Sequence, residues 1–576
     1  MYGSVPTVDD PGIDVAVPAV QRKPSNCFST ALGLLAGALF VVLAILAGWQ
    51  VIRQGRVVVD KVAVERFEQP RLLVSEKGML NVTLDVVVGQ VHFSALTFNM
   101  RSFNGTYPPP TLVLERGDIL RVLVRNRLGA ENASAGNTWN GFRYPNTTVI
   151  HTHGFHVSPV TADNIYRKIG PNHSALFEYK IPRNHNTGTF YLHPHFHGSS
   201  ALQVAYGMAM AIVIKDLPSK KRLFVEDNVM LVNWIDVGSG KRTDVVEDSR
   251  ISGSTLDLDL HPSSSKDGFL VVNGKRNPRL DIKAGEMYRW RVINSIIDGT
   301  MRLVFSSSCS VAEIAADGVS YETARVRTQT QGIIIPPGSR RDLAVECISR
   351  QTGDIVQVRS ELVLGKSYAN LTRAYLGDGT KISTGDFVHI AFVNTTLPLG
   401  TSTASLDVSQ RYSIKREEAG YTPEPLRDLR DEKPASTHVI EYTQAGPNTP
   451  KVIRDGTPYS FLGINGQAYS TKTILKVKRD QVTEWVIQNE WCMDGTPATE
   501  SHPFHLHTNH FQVVHITGSL SPDYKVGDWR DTITVPAPGN VTIRWVPRDF
   551  IGKTVMHCHT LGHEDTGMMA NFEITD

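Results

Sequence analysis

One short pattern occurs three times in this chain of 576 residues and constrains its fold more than any other feature. The three copies are residues 103–126, 272–294 and 464–489. Each copy has an apolar residue followed by Asn-Gly, then two β-rich runs separated by a polar turn, and a closing Asn. Consecutive Asn-Gly pairs lie 169 and 192 residues apart, which is about one β-sandwich domain each.

The rest of the chain fits an all-β interpretation. Short alternating or Val/Ile-rich runs are separated by Gly and Pro turns, and no long helical periodicity occurs outside residues 28–52. We therefore predict three β-sandwich domains at 60–217, 221–400 and 438–576. Residues 401–437 combine prolines with dense charge and are predicted to be an exposed linker.

The N-terminal region predicts a membrane anchor. Residues 28–52 contain no charged side chain, and about 20 apolar residues span a bilayer as a helix. Residues 1–27 are predicted to be a disordered tail, and no convincing cleavage site follows the apolar run, so we expect one uncleaved transmembrane helix.

The charges around this run and the glycosylation sequons disagree on orientation. Lys and Arg are denser after the run, which favours a cytoplasmic C-terminal body. Eight N-x-S/T sequons favour a glycosylated lumenal or extracellular body, which we expect. They begin at Asn81, Asn104, Asn132, Asn146, Asn172, Asn370, Asn394 and Asn540.

Composition excludes two classes of protein. The net charge of +2 gives no bulk electrostatic reason to bind nucleic acid. Five cysteines are too few for a disulfide scaffold. Cys309 and Cys347 both fall in the middle domain and either form a disulfide or stay separate.

Histidine carries the chemical signal. Ten of the 20 histidines fall into four clusters, two in the first predicted domain and two in the third. The middle domain contains none of the four clusters and is interpreted as a structural spacer. The clusters are His151-Thr-His153, His193-Pro-His195, His502-Pro-Phe-His505-Leu-His507, and His557-Cys558-His559 followed by His563 and Met568.

The spacing of these residues predicts two neighbouring metal sites. Residues i and i+2 of a strand share a face, so His557 and His559 point one way and Cys558 the other. Cys558 with two histidines and a distant methionine is a blue-copper ligand set, and His502, His563 and Met568 are its candidate partners. The other face gathers eight histidines, too many for one ion and suited to three coppers. Structural zinc would favour a closed four-ligand site with more cysteine.

The motifs resemble those of the multicopper oxidases, especially the copper-efflux and bilirubin oxidase branch, from about residue 80 to the C-terminus. The resemblance implies cupredoxin-like domains and four copper ions. It assigns the type 1 copper to His502, Cys558, His563 and Met568, the type 2 copper to His151 and His505, and the type 3 pair to His153, His193, His195, His507, His557 and His559. It further implies four one-electron oxidations at the type 1 site and reduction of dioxygen to two waters.

The resemblance also suggests two catalytic acids. Glu564 follows a type 1 ligand and matches the glutamate that assists proton delivery to dioxygen in this branch. Asp163 is the nearest candidate for the first-domain acid, although it lies one residue out of register with the copper-efflux oxidases.

The reducing substrate is the least defined part of the prediction. A laccase-like oxidase of phenols or aromatic amines is the default expectation. No methionine occurs between Met301 and Met493, which disfavours a dedicated cuprous oxidase. Asp494 and Glu500 precede His502 and keep a ferroxidase open. A redox-inactive copper-binding protein is a more distant alternative, because such a protein would be expected to lose ligands.

Overall fold

A computed structural model describes most of the chain after residue 64. The described residues are 65–93, 96–131, 139–205, 207–236, 268–328, 331–349, 354–364, 383–393, 407–420, 426–454, 457–518 and 524–576. The predicted tail, the apolar run 28–52 and three sequons lie outside them. Among the described residues, no helix is long and apolar enough to cross a membrane. The chain divides into units 1–63 and 64–576, and all that follows concerns the second unit.

The first sandwich pairs a sheet of order β1-β4-β9-β8-β6 with one of order β3-β2-β5-β7. Leu84 and Val122 from the second sheet pack with Phe190 and Ile212 from the first in one buried core. Its strands are β1 Leu72–Val74, β2 Met79–Phe93, β3 Leu96–Phe103, β4 Thr111–Leu114, β5 Ile119–Asn126, β6 Ile150–His153, β7 Ser174–Lys180, β8 Gly188–Pro194 and β9 Met210–Ile214, and helix α1 spans Ser200–Ala205.

The second sandwich has sheets of order β11-β10-β13-β18-β15-β16 and β12-β20-β19-β14-β17. Trp290 and Leu343 of one sheet share a core with Leu303 and Ile390 of the other. Its strands are β10 Asp227–Asp236, β11 Gly268–Val272, β12 Arg279–Ile282, β13 Met287–Asn294, β14 Gly299–Val304, β15 Cys309–Ala316, β16 Val319–Val326, β17 Ile333–Ile335, β18 Arg340–Cys347, β19 Ile355–Leu364 and β20 Ser383–Phe392.

The third sandwich has sheets of order β24-β21-β26-β31-β28-β29 and β25-β33-β32-β27-β30, with a separate hairpin β22-β23. Trp485 and Ile543 pack against Phe504 and Phe572 across it. Its strands are β21 Ser436–Gln444, β22 Val452–Arg454, β23 Thr457–Tyr459, β24 Leu462–Ile464, β25 Thr473–Lys478, β26 Thr483–Asn489, β27 His502–Leu506, β28 Phe511–Ile516, β29 Trp529–Arg530, β30 Thr532–Val535, β31 Gly539–Trp545, β32 Gly552–Cys558 and β33 Met569–Thr575. A second helix, α2 (Val408–Glu418), precedes this sandwich, and a third, α3 (Leu561–Thr566), lies within it.

The repeated Asn-Gly pair forms the same turn in each sandwich. Asn104, Asn273 and Asn465 have φ values of 59°, 51° and 51°, a left-handed conformation that asparagine tolerates better than most residues. Each side-chain oxygen accepts a hydrogen bond from a backbone N–H of an earlier strand, β2, β10 and β21 in turn, at 2.7, 2.8 and 2.6 Å. The repeat therefore fixes one turn against one strand three times.

The closing asparagines of the repeat also share a role. The amide nitrogens of Asn126, Asn294 and Asn489 each donate to two backbone carbonyls of neighbouring segments. Buried carbonyls need such partners because water does not reach them. In the third sandwich one of these carbonyls belongs to Glu500, at 2.9 Å, so the repeat holds the loop that precedes β27.

Residues 401–437 differ from the exposed linker that their composition predicts. Helix α2 lies inside this segment, begins at an Asp407 capping box, and buries Val408 and Tyr412 against the second sandwich. Ala419 joins the same buried cluster, and Arg411 pairs with Glu346, contacts that composition alone does not show. The exact domain boundaries stay predictions.

Two other sequence features are resolved by the structure. Cys309 and Cys347 face each other on β15 and β18 and form a disulfide. Asn146 is buried and donates from its side-chain amide to the carbonyls of Gly129 and Ala130, so this sequon is not an accessible glycan acceptor. Asn81, Asn104 and Asn172 are exposed.

Candidate metal centre

The four histidine clusters meet where the first and third sandwiches pack together. In the first sandwich, strand pairing places His151 opposite His193. In the third, it places His505 opposite His557 and Phe504 opposite Cys558. The rings of His151 and His507, one from each sandwich, stack at 3.8 Å between centroids, and all eight histidines of this group are buried.

The eight histidines subdivide into groups whose nitrogens lie within 4.8 Å of one another. Every group combines residues of both sandwiches, so the site exists only at their interface. In the group formed by His195, His507 and His557, the Nε2 atoms of His195 and His507 each lie 3.2 Å from His557 Nε2. The groups are His153, His193 and His559; His195, His507 and His557; and His151, His153 and His505.

In most of these rings one nitrogen contacts the surrounding protein, and the other has no protein partner. Nδ1 of His193, His505 and His557 contacts the backbone carbonyls of Pro194, Asp531 and Cys558 at 2.8–3.0 Å. Nε2 of His153 contacts Thr532 Oγ1 at 3.1 Å. Buried polar atoms normally have partners, so the remaining nitrogens are matched to a metal rather than to protein. These unpartnered atoms include Nε2 of His151, His193 and His505 and Nδ1 of His153 and His559.

Burial keeps the eight imidazoles neutral. It lowers the pKa of every member of the group, and that of His193, His505 and His557 to about 3. A neutral imidazole offers the lone pair that a metal requires, so the group is ready to bind without losing protons.

The predicted cysteine site also assembles. Cys558 Sγ lies 3.6 Å from His502 Nδ1 and 3.8 Å from His563 Nδ1, and the two nitrogens are 3.3 Å apart. Burial raises the pKa of the Cys558 thiol, so a bound cation is needed to favour the thiolate. Gln444 Oε1 accepts from His502 Nε2 at 3.2 Å and orients that ring.

Two neighbouring methionines have different surroundings. Met568 is buried in the core of the third sandwich together with Cys558. Met569 belongs to another buried cluster, with Ile165 and Tyr469. This division favours Met568 as the methionine associated with the cysteine site.

Both predicted acids lie against the histidine group. Asp163 Oδ2 is 2.6 Å from His151 Nδ1, while its Oδ1 accepts from the Thr152 N–H at 2.8 Å. Burial raises the pKa of Asp163 to about 7, although the hydrogen bonds from Thr152 oppose the rise. The single-residue difference in register therefore does not keep Asp163 away from the cluster.

Glu564 bridges two histidines of one group. Its Oε1 lies 3.4 Å from His195 Nδ1 and accepts from Ser200 Oγ at 3.0 Å, and its Oε2 lies 3.6 Å from His557 Nδ1. Burial, reinforced by the neighbouring Asp565, raises the pKa of Glu564 well above its ordinary value. The carboxyl is thus placed to hold a proton beside the cluster.

Several partners of the site were not predicted from the sequence. Asp565 accepts from the backbone N–H groups of Gly198 and Ala201 and ties α3 to the start of α1. Asp531 touches His153 and His505 and is paired with Arg340 of the middle sandwich. Burial alone would raise the pKa of Asp531, but Arg340 holds it below its ordinary value. No motif in the sequence marks Asp531 or Arg340, whereas Asp565 directly follows Glu564 inside the last cluster.

The donor set fits copper. Imidazole with one thiolate and one thioether is the ligand chemistry of copper electron-transfer sites, and eight neutral imidazoles suit further copper ions. The free buried nitrogens and the converging Nε2 atoms agree with that chemistry.

Comparison with known proteins agrees with the geometry. Multicopper oxidase family models match residues 86–219 and 432–576, the regions that contain the four clusters. A multicopper oxidase of Staphylococcus epidermidis is 23% identical over 505 residues, covering 87% of this chain and 89% of that protein. The laccase of Bacillus subtilis is 23% identical over 557 residues, covering 90% and 98%.

A solved multicopper oxidase structure has a similar fold. The multicopper oxidase of Campylobacter jejuni, described as a metallo-oxidase, superimposes with a TM-score of 0.64 at 21% identity, covering 89% of this chain and 96% of that one. The all-β, cupredoxin-like architecture is therefore shared. Together with the family models and the full set of clustered ligands, this places the chain in the multicopper oxidase family, whose members are copper-dependent oxidoreductases that use dioxygen as electron acceptor.

Proposed function

We propose that the two clusters hold four copper ions and that the protein is a laccase-like oxidase. The type 1 copper would be held by His502, Cys558, His563 and Met568, and the type 2 copper by His151 and His505. The type 3 pair would be held by His153, His193 and His559 and by His195, His507 and His557. The observation that carries the proposal is that the six predicted type 3 histidines form two triads, each drawn from both sandwiches.

When bound, copper supplies a one-electron acceptor at the cysteine site and a centre for the four-electron reduction of dioxygen. The chain connects the two places through three consecutive residues, His557, Cys558 and His559. The carbonyl of Cys558 accepts from His557 Nδ1 at 3.0 Å, which gives a second short connection between the sites. Burial of every cluster ligand excludes bulk water.

The acids have distinct proposed roles. Asp163 holds His151 by its Nδ1 and leaves Nε2 free to bind. Glu564 holds a proton at its carboxyl, beside His195 and His557, and releases it toward the cluster as general acid. Ser200 Oγ donates to Glu564 Oε1 at 3.0 Å and orients the carboxyl.

The substrate meets the chain at His563. Its side chain is 20% exposed, and the carboxylate of Glu500, 38% exposed, lies 3.6 Å from its Nε2. The side chains of Trp491 and Met493 are exposed on the preceding loop, at 56% and 52%. An aromatic substrate can stack on Trp491 while its hydroxyl or amine donates to Glu500, which supports phenols and aromatic amines as reductants.

Glu500 also supports the second candidate, oxidation of a metal ion such as Fe(II) or Cu(I). Asp494, the other predicted carboxylate, is already used: it accepts from Asn448 N and from Thr496 Oγ1, at 2.9 and 2.7 Å. One free carboxylate beside His563 gives a weaker cation site than two, so we rank metal ions below phenols.

Oxygen uptake with a diphenol, Fe(II) and Cu(I) in parallel tests the proposal. We expect the diphenol to give the highest kcat/KM and Glu500→Gln to lower it by about 10-fold, through the loss of one charge-assisted hydrogen bond. Glu76→Gln, at an exposed carboxylate of the first sandwich, is the matched control and leaves it unchanged. A blue protein that consumes no oxygen with any reductant would support the redox-inactive alternative instead.

We further propose a single-pass anchor at residues 28–52 with the catalytic body outside the cytoplasm. The apolar run and the exposed sequons support this arrangement, as does the Cys309–Cys347 disulfide, because disulfides persist in oxidising compartments. We expect the full chain to resist carbonate extraction from membranes and a chain lacking residues 1–60 to be released. Recovery of the full chain in the soluble fraction would contradict the anchor.

A further inference from the structure

The middle sandwich reaches the histidine cluster through one side chain. Arg340 begins β18 and is fully buried. Its two terminal nitrogens donate to the two carboxylate oxygens of Asp531, at 2.8 and 2.6 Å. Paired bonds of this kind fix the angle as well as the distance between the two groups.

Asp531 passes this constraint to two candidate ligands. Its Oδ1 lies 3.3 Å from His153 Nε2, and its backbone carbonyl accepts from His505 Nδ1 at 2.8 Å. His153 and His505 stack on each other at 3.7 Å, one from each outer sandwich. The Asp531 carboxylate thus bears directly on His153, and on His505 through the ring stack and the backbone of the same residue.

Arg340 also bonds to the first sandwich. Its Nε donates to the carbonyl of Thr189 at 3.2 Å, on the strand β8 that carries His193. Its own backbone N–H donates to Asp317 of the middle sandwich at 2.8 Å. One guanidinium thus joins a ligand strand of the first sandwich to Asp531 of the third.

Two glycines pack closely against this pair and the neighbouring ring. A Cβ built on Gly154, which directly follows His153, would lie 2.5 Å from both Arg340 Nη2 and Asp531 Oδ2. A Cβ on Gly338 would lie 2.7 Å from the ring of His559. Both glycines have positive φ, so the backbone is shaped to admit the ion pair and the ring.

We propose that Arg340 is a positioning residue of the trinuclear site. Held by Asp531 and the Thr189 carbonyl, it sets the orientation of His153 and His505 and aligns the ligands of the third sandwich with those of the first. The middle sandwich is then more than a spacer, although it contributes no ligand. This inference rests on the proposed assignment of these histidines to copper.

The test compares Arg340→Met with Arg325→Met. Arg325 makes the matched contact: it too belongs to the middle sandwich and pairs through two nitrogens with Asp528 of the third, but no histidine ligand touches that pair. The readouts are copper affinity of the cluster, the type 2 electron paramagnetic resonance signal, and the blue type 1 band as an internal reference.

We expect Arg340→Met to keep the blue band while its cluster binds copper about 10- to 100-fold more weakly, the usual effect of losing a group that orients a ligand. Arg325→Met should retain wild-type cluster affinity and an unchanged type 2 signal. Equal losses in both variants, or an unchanged cluster in Arg340→Met, would overturn the proposal.

Arg340→Lys covers the case in which the methionine variant does not fold. Lysine keeps the charge but cannot make both bonds in a fixed plane. Weaker cluster binding with a shifted type 2 signal supports the positioning role, and wild-type values overturn it. If the wild type itself holds no cluster copper, the proposed function fails, a result distinct from any difference between variants.

Discussion

Burial of the cluster histidines should make the copper-free protein lose stability in mild acid. In the copper-free chain the eight cluster histidines stay neutral when folded, with pKa values near 3 for three of them, whereas an unfolded histidine titrates near 6.5. Between these values the unfolded state binds more protons than the folded state. Stability therefore rises with pH, and it is lost as pH falls below 6.5.

The size of the effect follows from the unfolded pKa alone, because the folded values lie far below the working range. At pH 5.5 each histidine costs RT ln(1 + 10), about 1.4 kcal/mol, relative to neutral pH. The three histidines with a pKa of about 3 amount to about 4 kcal/mol. The raised pKa values of Asp163 and Glu564 oppose this loss, because those carboxyls take up protons in the folded state. Bound copper adds its binding free energy to the stability but leaves this pH dependence, because the unfolded chain takes up the same protons in either case.

Urea unfolding of the copper-free and copper-loaded protein at pH 7.5 and 5.5, followed by tryptophan fluorescence, measures this effect. We expect both forms to lose stability at pH 5.5, and the copper-loaded form to be the more stable of the two at each pH. His193→Gln should reduce that loss by about 1.4 kcal/mol, while His515→Gln, at an exposed position, should not change it. Equal urea midpoints at the two pH values in the copper-free wild type would refute the reasoning.

Two substitutions separate the roles of the remaining groups. Met568→Leu should raise the type 1 potential while copper is retained, because the axial ligand tunes the site rather than builds it; a redox titration that finds no change would mean that Met568 is not axial. Glu564→Gln should leave anaerobic reduction of the type 1 copper fast and slow reoxidation by dioxygen by ~10²-fold. Stopped-flow traces of the two half-reactions check this, and normal reoxidation would remove Glu564 from proton delivery.

The sequence predicted the part of the site that depends on local spacing. Alternation along a strand separates Cys558 from His557 and His559, and in the structure Cys558 groups with His502 and His563 while His557 and His559 group with other histidines. The spacing of the Asn-Gly repeat predicted three sandwiches. The pattern recurs because each copy fixes the same turn by the same hydrogen bond.

Contacts between distant parts of the chain were not predictable in this way. Arg340 and Asp531 are separated by 191 positions, and neither lies in a recognisable motif. Asn146 looks like an accessible sequon, but its side chain is consumed by buried carbonyls. Asp494 looks like a free carboxylate, but it binds the turn of its own loop. In each case tertiary packing decides what a polar side chain is available to do.

Replacing Cys558 tests the central claim most directly. Cys558→Ser removes the thiolate, keeps the size of the side chain, and leaves the eight cluster histidines in place. Visible absorption and oxygen uptake with a diphenol should show that the intense blue band and the oxidase activity disappear together. A serine variant that remains blue, or that oxidises the diphenol at the wild-type rate, would contradict the assignment of Cys558 to the type 1 copper.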